Sequence, residues 1–270
     1  MQQEILWALL LPLISGLTTV IGSIIVFFTK RQSPKFLSFC LGFSAGIMVV
    51  LALSDLMPES AEAFINHFGG EHLAALWSVL FLVAGMGLAI LFDKMVPGGE
   101  HPHHHADLPF EEVPHKHKLM RLGVISVIAI ALHNIPEGIA TFIASYNNTM
   151  LGVSLTFAVI AHNIPEGIAL AAPIYYSTGK KSKAFLATLF AGLALPLGAL
   201  LTWLFLAPVI NDFLLGSMYA LVAGLMIYIS FDELLPAARE NGDQGSHLSL
   251  YGILTGIVLM ALVAFVFHGH

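Results

Sequence analysis

Apolar runs separated by short polar interruptions fill the whole chain. An α-helix needs about 20 apolar residues to cross a hydrocarbon core. Eight runs meet that length, near residues 5–29, 36–58, 72–93, 119–145, 150–176, 184–207, 213–237 and 248–268. The pattern predicts an all-α polytopic membrane protein with a single transmembrane domain over residues 1–270. Composition agrees: 57% of the 270 residues are hydrophobic and 10% charged, against about 25% charged in a soluble domain. A single cysteine, Cys40, excludes a disulfide framework and reads as a small packing residue.

Charge adds orientation. All 11 Lys and Arg fall in the first, third, fifth and seventh connections, and the even ones hold none. The positive-inside rule then places those loops in the cytoplasm and both termini outside. The longest polar stretch, residues 94–118, carries His101, His103, His104, His105, His115 and His117. It has little to bury, so a disordered cytoplasmic loop is expected. Its histidines form a candidate metal-binding tract by composition alone. Nothing in the charge pattern marks a nucleic-acid partner.

The sequence also repeats itself. Ala45-Gly46-Ile47-Met48 matches Ala223-Gly224-Leu225-Met226, and in the same register Asp55-Leu56 and Pro58 match Glu233-Leu234 and Pro236. Leu11-Pro12-Leu13 echoes Leu195-Pro196-Leu197. These pairings predict a 3+2+3 arrangement, with spans 1–3 and 6–8 as an inverted repeat around the central spans 4 and 5. Inverted repeats mark transporters with a site near the midplane.

The chemistry is concentrated in one octapeptide written twice, His133–Ala140 and His162–Ala169, inside spans 4 and 5. Each copy puts a His and a Glu four residues apart, on one helix face. Pro136 and Pro165 each remove a backbone donor and free a carbonyl one turn back. A carboxylate near mid-bilayer costs about 2.5 to 3.5 kcal/mol on insertion scales. Two of them, each beside an imidazole and an amide, call for a neutralising cation. The expected metal residues are His133, Asn134, Glu137, His162, Asn163 and Glu166, with Met48 as a candidate soft ligand from span 2. Nitrogen and oxygen donors without thiolate suit Zn²⁺, and also Fe²⁺, Co²⁺ or Mn²⁺, over Mg²⁺ or Ca²⁺. Asp55 and Glu59 near the outer end of span 2, and Asp232 and Glu233 near the inner end of span 7, are candidate pathway residues. Trp7 and Trp77 fit as interface anchors.

These motifs resemble the ZIP (Zrt/Irt-like) zinc transporter family, in particular its bacterial GufA/ZupT type, along essentially the whole chain. The resemblance implies uptake of zinc and related divalent metals, Cd²⁺ among them, across the plasma membrane (the bacterial inner membrane) into the cytoplasm. It implies primary ligands at His133, Glu137 and Glu166, and places His162, Asn134 and Asn163 near a second, adjoining metal. An elevator-like motion of one helix bundle and a homodimer in the lipid bilayer are further implications. Many relatives carry Glu where this chain has Leu195, so a single tight site is expected. The alternatives are an intramembrane metalloenzyme and a metal sensor. The His-x₃-Glu spacing lacks the His-Glu-x₂-His pattern and a spare general base, and no sizeable soluble output domain is present.

Overall fold

The structure, a computed structural model, describes residues 2–28, 34–95, 115–240 and 247–268. Among the described residues it is helical, with no strand. Helices α1 (Gln2–Phe28), α2 (Pro34–Leu51), α3 (Met57–Phe68), α4 (Glu71–Met95), α5 (His115–Asn147), α6 (Thr149–Thr178), α7 (Lys181–Leu201), α8 (Asp212–Tyr228), α9 (Leu235–Glu240) and α10 (Leu248–His268) follow in order. Residues 52–56 and 229–234 join α2 to α3 and α8 to α9 as π-helical turns. With those joins, eight segments among the described residues are long and apolar enough to cross a membrane.

Several bounds differ from the hydropathy pattern. The second span continues to Phe68, beyond the expected end at residue 58. Its last turns, Met57–Phe68, carry Glu59, Glu62 and His67, so helix persists where hydropathy falls. Helix also runs to Met95 in α4 and begins again at His115 in α5. That trims both ends of the expected 94–118 loop. His101, His103, His104 and His105 lie outside the described residues, as do the side chains of His115 and His117.

The π-helical turns have a local cause. Pro58 and Pro236 cannot donate to the preceding turn, and in each case the helix widens just before them. A third such turn, Thr202–Leu206, precedes Pro208. Asp55 and Glu233 occupy equivalent places in the first two.

The spans sort into two sets. Helices α1, α5, α6 and α7 pack on one another, and so do α2, α3, α4, α8 and α10. Contacts of α6 with α2 and of α5 with α8 join the sets. Small residues let the backbones approach closely. A Cβ on Gly138 would strike the carbonyl oxygen of Leu195, and one on Gly167 would strike that of Thr19. Gly46 faces Ile253 and Gly224 faces Leu82 in the same way.

These contacts correct one sequence pairing. The octapeptide copies are 29 residues apart, so Leu195 and Thr19, each opposite the equivalent glycine, are counterparts in α7 and α1. Gly16 and Gly192, whose added Cβ atoms would meet each other's carbonyl, keep that register. The echo of Leu11-Pro12-Leu13 with Leu195-Pro196-Leu197 is therefore about two turns out of step. It matched prolines, and helix crossings are set by glycines.

Candidate metal centre

Helices α5 and α6 are joined by the single residue Asn148. Its side-chain oxygen accepts from the backbone N–H groups of Met150 and Leu151, at 3.0 and 3.2 Å. This N-cap starts α6 sharply, so the two copies of the octapeptide lie in consecutive helices, with His133 and His162 15 and 14 residues from Asn148 and Glu137 and Glu166 11 and 18 residues from it. Both helices run through their prolines.

The side chains converge. One ligand atom each of His133, His162 and Glu166 lies within 4.8 Å of the others. Glu137 Oε1 stands 2.7 Å from His162 Nε2. The approach is short but out of line, and neither atom has an aligned hydrogen-bond partner. His133 Nε2, Glu137 Oε2 and Glu166 Oε2 lack a partner as well. All four residues are buried, His162 completely. Each buried polar atom without a partner costs about 1–3 kcal/mol, more when charged. Donor atoms about 2.0–2.2 Å from a four-coordinate zinc ion lie about 3.3–3.6 Å apart, so these side chains must draw inward to hold one.

The charges match that reading. Two carboxylates and two neutral imidazoles carry two negative charges, the complement of a divalent cation. The grouping differs from what resemblance implied: His162 joins His133 and Glu166, while Glu137 pairs with His162.

The two asparagines turn away from each other. Asn134 Nδ2 donates to the carbonyl of Ala191 on α7 at 2.8 Å, and Asn163 Nδ2 to that of Ser15 on α1 at 3.1 Å. Each copy is thereby stapled to its own flanking helix. With the amide nitrogen fixed, Oδ1 of each residue is buried without a hydrogen-bond partner.

Met48 is fully buried in an apolar cluster with Met226, Leu51, Ile143 and Val159. Asp55 and Glu59, expected near the end of the second span, lie inside it because it runs on to Phe68, and Asp232 and Glu233 lie inside the seventh, which runs to Glu240; all four are half-buried, and each has its own interactions. Trp77 stacks with Phe68, lies tilted against Phe81 and meets Phe213 edge-on, so it packs between helices; Trp7 is exposed. One site residue was not foreseen. Ser44 Oγ donates to Glu166 Oε1 at 3.2 Å. It lies four residues before Met48, on the same face of α2, and that spacing is the signal that could have found it.

The family model described as ZIP zinc transporter matches residues 97–264. The chain belongs to this family. Three ZIP relatives, each named zinc transporter ZupT, align along nearly their whole length. That of Streptococcus mutans is 42% identical over 267 residues, covering 99% of this chain and 100% of the relative. That of Chlorobium chlorochromatii is 43% identical over 270 residues, with 99% and 100% covered. That of Oceanobacillus iheyensis is 44% identical over 264 residues, with 96% and 97% covered. Membership in a family of zinc transporters disfavours the intramembrane metalloenzyme.

Proposed function

We propose that this ZIP protein carries Zn²⁺ across the plasma membrane into the cytoplasm, binding it between α5 and α6 at His133, His162, Glu166 and Glu137. The observation that carries the reading is the group of buried imidazole and carboxylate atoms without hydrogen-bond partners. The names of the relatives point to the same cargo.

The donor set is nitrogen and oxygen with no thiolate, so Zn²⁺ is held less tenaciously than in a Cys-rich structural site, as release requires. The same donors admit Fe²⁺, Co²⁺, Mn²⁺ and Cd²⁺ as lesser substrates. Asn134 and Asn163 hold the two octapeptides to α7 and α1. With Leu195 in place of a carboxylate, one tight ion is favoured over two. Met48 acts in packing, with its sulfur in reserve as a soft donor. The half-buried carboxylates Asp55 and Glu59 serve the outer mouth, and Asp232 and Glu233 the cytoplasmic one. The histidines of residues 101–117 receive or sense metal after release.

A 3+2+3 arrangement of eight spans with both termini outside fits the distribution of Lys and Arg. Reciprocal glycine contacts at equivalent positions support it: Gly46 with Ile253 and Gly224 with Leu82, Gly85 with Leu221 and Gly256 with Phe43. Movement of α1, α5, α6 and α7 against the remaining helices, in a homodimer, would expose the centre to each side in turn.

Zinc uptake into proteoliposomes by wild type and Glu137→Ala tests the assignment. The expected result is loss of nearly all uptake at comparable amounts of folded protein. Equal uptake by both would remove Glu137 from the mechanism.

A further inference from the structure

The two glutamates of the centre occupy equivalent positions in α5 and α6, yet they are held differently. Glu137 meets His162 within its own helix set. Glu166 Oε1 instead accepts a hydrogen bond from Ser44, on α2 of the other set, while Oε2 has no hydrogen-bond partner. The sequence differs at the matching position of the repeat. In the register that pairs Gly46 with Gly224, the counterpart of Ser44 is Val222. Both are buried, but valine has no hydroxyl to offer Glu137.

A carboxylate binds a cation through one oxygen or both. A hydroxyl on one oxygen occupies a lone pair there and leaves the other as the better ligand. Four-coordinate Zn²⁺ is satisfied by a single carboxylate oxygen. Larger divalent ions take more oxygen ligands and accept carboxylates through both. Partners of this kind orient the ligands and tune the metal, and removing one shifts affinity about 10- to 100-fold.

We propose that Ser44 is a positioning residue that sets metal selectivity. Its hydroxyl confines Glu166 to one-oxygen coordination and so favours small, four-coordinate Zn²⁺ over the larger Cd²⁺. The inference rests on the reading that the cargo binds at Glu166. Because the bond crosses between the helix sets, it also ties the ligand's geometry to their relative position.

The test is competitive uptake of Zn²⁺ and Cd²⁺ by the full chain in proteoliposomes, read as the ratio of initial rates. That ratio does not depend on how much protein is folded. Ser44→Ala is expected to raise the Cd²⁺:Zn²⁺ ratio about tenfold, and Ser44→Thr, which keeps the hydroxyl, to leave it at the wild-type value. Should Ser44→Ala fail to fold, Ser44→Gly carries the test, because it also lacks the hydroxyl and adds no metal ligand, and the ratio should rise likewise. An unchanged ratio in the Ala or Gly variant, or an equal shift in the Thr variant, would overturn the proposal. Glu166→Ala run in parallel separates the two levels. If it retains zinc uptake, the transport-site reading fails; if it loses uptake while Ser44→Ala keeps the wild-type ratio, only the role of Ser44 fails.

Discussion

At the scale of single residues, the centre is defined by what its atoms lack. Imidazole and carboxylate groups beyond the reach of water are stable only with partners. The octapeptides supply mutual contact for Glu137 and His162, and α2 supplies Ser44 for Glu166. The glycines beside the glutamates matter as much as the ligands. Gly138 lies against the backbone of Leu195, where a side chain has no space and the obstacle is a carbonyl that cannot rotate aside. Gly138→Ala is expected to destabilise the protein by about 1–3 kcal/mol, as overpacking does, seen as a lower unfolding midpoint in detergent. Gly87, with nothing within 4 Å of an added Cβ, should tolerate alanine with no such shift.

At the scale of elements, the turn between α5 and α6 sets the alignment of the two motif copies. Asn148 is the only residue between them, and its side chain caps α6. Asn148→Ala should cost about 1 kcal/mol and lower the thermal midpoint, while Asn148→Asp, which keeps an accepting oxygen, should retain most of it. Much at this scale was legible in the sequence. The eight apolar runs located every span, and the letter-for-letter octapeptide repeat marked the His and Glu residues that the fold brings together, because a 3.6-residue period fixes which residues share a side. Helix ends were less legible. Met57–Phe68 is amphipathic, and hydropathy cannot distinguish its polar turns from a loop. The register of α1 against α7 was read wrongly from prolines, since backbone approach is decided by residues without side chains. Ser44 was missed because its spacing to Met48 places it on a shared face of α2, a signal that points to Glu166 only once α2 is seen to pack on α6.

At the scale of the whole molecule, two helix sets meet around the centre, and Ser44 to Glu166 is a polar link between them. A cation held by neutral imidazoles is lost when they protonate. Zinc uptake should therefore fall as pH drops from about 7.5 to about 5.5. An assay that clamps pH on both sides of the vesicle separates this loss of binding from any effect of a proton gradient. The claim on which the rest depends is that zinc sits between α5 and α6. Anomalous diffraction at the zinc edge, on crystals grown with Zn²⁺, tests it most directly. The expected result is a peak about 2.0–2.2 Å from side-chain atoms of His133, His162 and Glu166. Zinc bound only at surface histidines, with no peak among those three residues, would contradict it.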